Sequence, residues 1–479
     1  MPIHLTNASQ PLYFMAYFNS AFLPPIIINT LDKHETSTST MDASSNNSLD
    51  QEVFGPLVDI SEESLVLLAS SIRERVFHTP TSDGKQIARI AGAYNIVHII
   101  QLDGNKLVIR IPATGWGSGK TETAARALES QVATLRLIKQ NTAIPVPEVY
   151  DFDTTDNNAI GAPYICMSFV PGIPVMQVWF KDPETMSREQ FRLNILSGLS
   201  HVMAQFSRLT FDKIGSVSGD EAGNTSLEPC YDWHINDDGT VQIVPSGPFD
   251  SASAYFEAHF KGNVANDGPN EWDKAESEIM QSIMSYSPIH DSQGGFVLRP
   301  PDLNPQNVMV DEQGNITGLI DWDLVQTLPR CVGYARYPGW ITRDWDPLMY
   351  GWPHMADSED SPEDLERYRA YYNKELGKAL NWQGDWKFTN KSHITEAVWI
   401  ATLSRMNRLE ICQKMVQTAL KVDSEAALDV VFDIGAGYYK KKEWDMLDIK
   451  LRQLVSLSTE IDEPLTHLDV GDQVDSRPL

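Results

Sequence analysis

Read from its amino terminus, the chain first sustains a helical period at 61–77, SEESLVLLASSIRERVF, where Leu65, Leu68, Ala69, Ile72 and Val76 recur on one face. Asp59 and Glu62 make a D-x-x-E start before it, and Pro80 ends it. The period then shortens to two. QIARIAG (86–92), YNIVHII (94–100) and KLVIRI (106–111) read as strands, and Asp103-Gly104 ahead of the third is a tight-turn signal, so the spacing predicts a hairpin. A Gly/Thr/Ser-rich loop follows at 114–121. TAARALESQVATLRLIKQ (123–140) returns to helical spacing, and IPVPEVYDFD (144–153) with PYICMSFV (163–170) predicts another strand pair. Pro171-Gly172 then interrupts the chain.

Beyond that break the pattern is mainly helical. SREQFRLNILSGLSHVMAQFSRL (187–209) opens with an S-x-x-Q box, and Phe191, Ile195, Leu199, Val202, Phe206 and Leu209 form its apolar stripe. His201 lies within this helix and reads as a solvated or satisfied histidine. Further helices are predicted near 362–380, 391–420, 424–440 and 443–457. One exception falls at 308–320, where Val308 to Val310, a turn at Asp311 to Asn315, and Ile316 to Ile320 predict a second hairpin. The organisation expected is a leader at 1–55, a sheet-rich lobe at 56–170, a helical lobe at 171–460 and a tail at 461–479.

The 479 residues are enough for more than one domain. A formal net charge of −27 excludes general nucleic-acid binding, because phosphate backbones repel such a chain. Any anionic ligand therefore needs a locally positive or metal-filled pocket. Cys166, Cys230, Cys331 and Cys412 are far apart with no C-x-x-C pair, which points to a reducing compartment, taken as the cytoplasm, and to neither disulfides nor zinc. The apolar run 11–28 is interrupted by Asn19, Ser20 and two prolines and has no basic flank, so no signal peptide or membrane span is expected. The first 40 residues hold one Lys and no Arg, unlike a mitochondrial transit peptide.

The stretch with the most chemistry is RPPDLNPQNVMVDEQGNITGLIDWD (299–323). Asp and Asn are common turn residues, and that alone would account for some of it. Yet a hairpin brings its two strand ends within about 5 Å of each other, so Asn307 and Asp321 come side by side, with Asp302 on the loop leading in. Two carboxylates and an amide suit Mg²⁺, a hard cation that takes oxygen ligands together with substrate phosphates. A loop carboxylate beside it can accept a proton from an attacking hydroxyl.

Asp-x₄-Asn followed by strand, turn, strand and Asp resembles the catalytic loop of the aminoglycoside phosphotransferase family, a branch of the protein-kinase-like fold. The segment DLNPQNVMVDEQGNITGLIDWD looks especially like the fungal members. The resemblance implies an α+β, two-lobed protein-kinase-like fold with a small antiparallel-sheet lobe and a larger, mostly helical lobe. It implies ATP and Mg²⁺ between them, and transfer of the γ-phosphate to a hydroxyl of a small molecule. Asp302 would be the base, and Asn307 and Asp321 would hold the metal. In LVIR (107–110), Arg110 would take the place of the family's lysine on the nucleotide phosphates, with Lys106 a weaker candidate on the same strand face. Glu129 would orient that cation from the helix, and Gly92 in GAYN would mark the turn over the phosphates. Met167, Ser168 and Phe169 in PYICMSFVPG would meet the adenine.

Two positions depart from the pattern: Pro300 stands where the family has His, and Arg110 where it has Lys. The first motivates an alternative, a catalytically silent kinase-like module that binds nucleotide or serves as a scaffold. A third reading, a P-loop NTPase, comes from TGWGSGKT (114–121), which has Thr114 where the motif needs Gly. The acceptor and the oligomeric state are not legible in the residues.

Overall fold

The computed structural model describes residues 50–219, 225–236, 239–262, 269–290, 294–300 and 302–457. The expected leader up to residue 49 and the tail at 461–479 lie outside the described residues. The end of the leader is corrected: 50–54 is helical and leads into a 3₁₀ turn at Gly55–Asp59, and Phe54 and Leu57 are buried. Both are apolar side chains that sit in the core of the sheet-rich lobe, which holds that segment in place.

The small lobe is one antiparallel five-stranded sheet. Its strands lie in the order Gly84–Ala91, Asn95–Leu102, Asn105–Pro112, Tyr164–Ser168, Val149–Asp153. Asp103 and Gly104 both take positive φ, 47° and 86°, as the tight hairpin turn requires. Strand alternation sorts the third strand's side chains. Leu107, Ile109 and Ile111 join Leu65, Leu68, Ala69 and Ile72 of the helix Glu62–Phe77 on one face. Val108 falls on the other face, where Ile165 and Met167 meet Leu128 and Val132 of the helix Glu122–Asn141. Arg110 shares that second face by parity. The first helix is capped by Ser61, whose side chain accepts from the Ser64 amide, rather than by the expected Asp59. Ser sits one residue before the helix, where its short hydroxyl reaches the first-turn amides.

The large lobe is mostly helical, as expected. Arg188–Ala204 packs on Pro362–Ala379, burying Phe191, Ile195 and Leu199 with Tyr368, Tyr372 and Leu376. His201 is exposed, with Nδ1 2.8 Å from the Ser197 carbonyl. A second core gathers Ala252–Gly262, Glu271–Tyr286, Ser392–Leu403, Arg405–Leu420, Ser424–Gly435 and Lys441–Val455. The single helix expected at 391–420 is broken at Ser404, which adopts extended backbone. Among the described residues no helix is long and apolar enough to cross a membrane.

The division into sheet first and helix afterwards is not strict. Cys230–Ile235 and Val241–Ser246 form a hairpin, well beyond the break at Pro171-Gly172, that reaches back to the small lobe. Its Tyr231 and Ile243 pack on Ala127, and Trp233 stacks flat on Tyr94, with ring centroids 4.3 Å apart and planes 2° from parallel. Gly119 lies directly under it: a Cβ there would come within 2.3 Å of the Val241 carbonyl. Lys120 pairs with Asp156. The Gly-rich loop at 114–121 is thus the seat of this hairpin.

Candidate active site

Asp302 sits on the loop between the strands Phe296–Arg299 and Val308–Val310. The loop is anchored from below by a buried charge network. Arg299 forks onto Glu396 and donates to the Val332 carbonyl at 2.6 Å, while Arg336 donates to the Pro300 carbonyl at 2.8 Å and lies 3.5 Å from Glu396. Burial, together with the nearby Arg299 charge, lowers the Arg336 pKa to about 10.

Asn307 is buried, and its amide nitrogen donates to Asp302 twice, to the carbonyl at 3.1 Å and to Oδ2 at 3.2 Å. The nitrogen being committed, Oδ1 is the atom that remains for a cation. The hairpin register pairs Val308 with Leu319, and the Ile320 amide donates to the Asn307 carbonyl at 2.9 Å. Asn307 and Asp321 therefore flank the open end of the hairpin. Asp321 has φ 64°, a left-handed conformation that short polar side chains tolerate. Trp322 is buried between the two aspartates' positions and donates from Nε1 to the Leu319 carbonyl at 2.8 Å, which pins the segment.

Across the lobes, Arg110 meets this segment directly. Its Nη2 lies 2.5 Å from Asp321 Oδ1 and 2.8 Å from Asp323 Oδ2, and its Nη1 contacts Asp323 Oδ1. Asn95 Nδ2 donates to Asp323 Oδ2 at 2.6 Å. Burial alone would weaken the Arg110 charge, but the two carboxylates more than restore it. Asp323 is pushed up by burial, a shift that Arg110 opposes and the Asp321 charge assists.

Of the residues expected to surround the nucleotide, Glu129 is set apart from Arg110. Gly92 closes the turn between the first two strands, its amide donating to the Asn95 carbonyl at 2.8 Å. Met167 is buried on the Arg110 side of the sheet, and Lys106 is exposed with its ammonium 4.8 Å from the Phe169 ring centroid. Ser168 is already engaged: its amide donates to the Glu148 carbonyl at 2.8 Å and its Oγ accepts from the Glu148 amide at 2.9 Å. Glu129 is exposed, and the carboxylates on Arg110 are Asp321 and Asp323 instead. The reason is helical phase. Ala124, Ala127, Leu128 and Gln131 line the small cavity shared with Arg110, and Glu129 lies off that stripe.

Asp302, Asp321 and Asp323 open onto a cleft of about 330 Å³ that Tyr94, Trp233, Tyr337, Arg343 and Trp399 also line. Its roof is the bridging hairpin, which the sequence reading missed. The signal was present, since Asp238-Gly239 between two short alternating runs repeats the Asp103-Gly104 pattern. Asp323 was read only as added acidity.

Among the described residues no group of three or more His, Cys, Asp or Glu side chains is arranged as a metal site. The oxygens here are two carboxylates and one amide, and the Asp321 side chain keeps 37% of its surface. An oxygen-only set with an open approach fits Mg²⁺, which keeps positions for water and phosphate.

No family model matches the chain. A subtelomeric hrmA-associated cluster protein of Aspergillus fumigatus is 36% identical over 338 residues, 59% of this chain and 64% of that protein. Altered inheritance of mitochondria protein 9, mitochondrial, of Kluyveromyces lactis is 21% identical over 370 residues, 64% of this chain and 57% of that protein. The match to each of these covers less than two-thirds of the relative's own length. Solved structures that resemble the chain include aminoglycoside phosphotransferases and related kinases. One is the crystal structure of aminoglycoside phosphotransferase APH(4)-Ia, at 13% identity and a TM-score of 0.38, covering 82% of this chain and 99% of that one. The α+β, two-lobed kinase-like fold stands on this chain's own elements: five antiparallel strands with a helix, then the hairpin bearing Asn307 and Asp321 in a helical lobe. The cytoplasmic expectation is corrected, because relatives from Candida tropicalis, Kluyveromyces lactis and Yarrowia lipolytica are named as mitochondrial. Cysteines that form no disulfide speak only for a reducing milieu and do not separate one such compartment from another.

Proposed function

We propose that this chain is an ATP- and magnesium-dependent phosphotransferase that moves the γ-phosphate to a hydroxyl of a small molecule. The observation that carries the reading is that Asp302 and Asp321 open onto one cleft, with Arg110 reaching Asp321 from the facing lobe. Asp302 accepts the proton of the acceptor hydroxyl as its oxygen bonds to the γ-phosphorus and the bond to the ADP oxygen breaks. Asn307 fixes the Asp302 carboxylate through its amide nitrogen and, with Asp321, holds Mg²⁺. Bound there, the metal offsets charge on the phosphate oxygens. Arg110 supplies the positive charge that an acidic chain otherwise denies a triphosphate. The network of Arg299, Arg336 and Glu396 holds the loop that Pro300 enters, a task that the family's histidine performs elsewhere.

Asp302→Asn tests this. The variant loses phosphoryl transfer by about 10²–10⁴-fold, while MgATP at a hundred times its Kd still adds about 2.7 kcal/mol of stability to both proteins. A second reading, a nucleotide-binding module without turnover, is favoured by Arg110 being occupied by two carboxylates. It predicts the same stabilisation with no turnover in the wild type for any hydroxyl acceptor. Wild-type protein unmoved by MgATP overturns both. Following the names of the relatives, we place the protein in mitochondria, which fractionation of cells producing it checks.

A further inference from the structure

The two carboxylates on Arg110 are not equivalent. Asp323 grips the guanidinium with both oxygens, Oδ1 on Nη1 and Oδ2 on Nη2, whereas Asp321 meets Nη2 through Oδ1 alone. The Asp323 side chain keeps 17% of its surface, against 37% for Asp321. Asp323 Oδ2 also accepts from Asn95, on the strand that runs beside Arg110. A bidentate pair fixes the plane of a guanidinium as well as its charge, and a third partner on the same oxygen fixes the carboxylate in turn. The neighbouring helix turns Ala127, Leu128 and Gln131 toward Arg110, none of them a carboxylate.

We infer that Asp323, held by Asn95, is the positioning residue for Arg110, and that Asp321 is its exchangeable partner. The inference rests on Arg110 being the phosphate-binding cation of the proposed function. The pairing that the resemblance placed between strand and helix has moved to strand and hairpin. When Asp321 turns to a cation, Nη2 loses one of its two partners and can take a phosphate oxygen. Nη1 and the plane of the group stay with Asp323, so the buried charge is never left alone. One tripeptide, Asp321-Trp322-Asp323, thereby couples the metal position to the phosphate position.

Calorimetric titration of the full chain with ATP plus Mg²⁺, and separately with adenosine, tests this. Asp323→Asn weakens MgATP by about tenfold or more and leaves adenosine unchanged, a phosphate-dependent loss that general misfolding would not produce. Asn95→Ala, which spares both charged groups, shifts MgATP in the same direction by about threefold and serves where the first variant does not fold. Glu129→Gln binds both ligands as the wild type does. Wild-type affinity for MgATP in both Asp323→Asn and Asn95→Ala, or a loss in Glu129→Gln, overturns the inference alone. A wild-type chain that binds neither ligand overturns the phosphotransferase reading and this inference with it.

Discussion

Arg110 is where the chemistry of one lobe depends on the other. Its guanidinium, on a strand of the small lobe, bridges Asp321 and Asp323 of the large one. Arg110→Ala removes the main influence that lowers the Asp323 pKa and leaves burial and Asp321, which both raise it, opposed only by the weaker hydrogen bond from Asn95. A carboxylate whose folded pKa is raised contributes stability below its unfolded value and loses it as pH rises through the folded one. The variant is therefore about 3 kcal/mol less stable than wild type at pH 7.5, with a smaller deficit at pH 5. Urea titrations at the two pH values check this, and an equal or larger deficit at pH 5 would contradict it. This residue also marks what the sequence could and could not yield. Its strand, its parity and its cationic role were readable because alternation fixes the face of a short strand. Its partner was misassigned because the order of motifs was allowed to outweigh helical phase, although the stripe Ala124, Ala127, Leu128, Gln131 was itself visible. Asp323 could not be singled out, since no local pattern says which of two nearby aspartates a distant strand will meet.

At the scale of elements, the bridging hairpin Cys230–Ile235/Val241–Ser246 is the least expected piece and the one with the clearest dependence on a single glycine. Gly119 has no room for a side chain against the Val241 carbonyl. Gly119→Ala must shift backbone against backbone and destabilises by about 1–3 kcal/mol. The loss should be accompanied by protease cleavage near 236–240, which limited proteolysis followed by mass spectrometry reads directly. Lys120→Ala, by contrast, removes only a largely exposed pair with Asp156 and changes stability by less than about 1 kcal/mol, with nucleotide binding intact. Loss of nucleotide binding there would revive the phosphate-loop reading of 114–121. The hairpins at 95–112 and 308–319 were legible because apolar alternation and turn residues agreed. The sheet formed by Thr210–Phe211, Phe296–Arg299 and Gln326–Pro329 was not, because strands of two to four residues carry too few positions to show a period. The long helix at 391–420 failed for the opposite reason: a continuous period hid the extended residue, Ser404, at which one core-facing segment turns into another.

For the molecule as a whole, the acidic composition hides an imbalance in how protons are held. His98 in the sheet lobe and His393 in the helical lobe are both lowered, to about 4 and about 3, chiefly by burial, with Arg89 acting on the first and Arg369 and Lys391 on the second. Below pH 6.5 the unfolded chain takes up protons that these two imidazoles refuse in the fold, so their contribution is present above that pH and is lost as pH falls toward 4. Two such groups give a slope approaching about 2.7 kcal/mol per pH unit. Glu276 works against them: burial raises it to about 7, so the folded chain holds a proton there that the unfolded chain has released. The net profile of the wild type therefore mixes opposite signs, and only a difference between proteins isolates the histidines. Replacing both, as His98→Gln and His393→Gln together, costs packing by an amount that does not change with pH. Against that constant offset, the double variant gains on the wild type as pH falls from 6 to 4.5, at up to the slope just given. Chemical denaturation followed by the fluorescence of the twelve tryptophans resolves it. Parallel profiles for the two proteins would mean that the fold does not hold these imidazoles neutral, and the acid sensitivity of the chain would then have to come from carboxylates held below their ordinary range, such as Glu396, where Arg299 and Arg336 outweigh the upward push of burial.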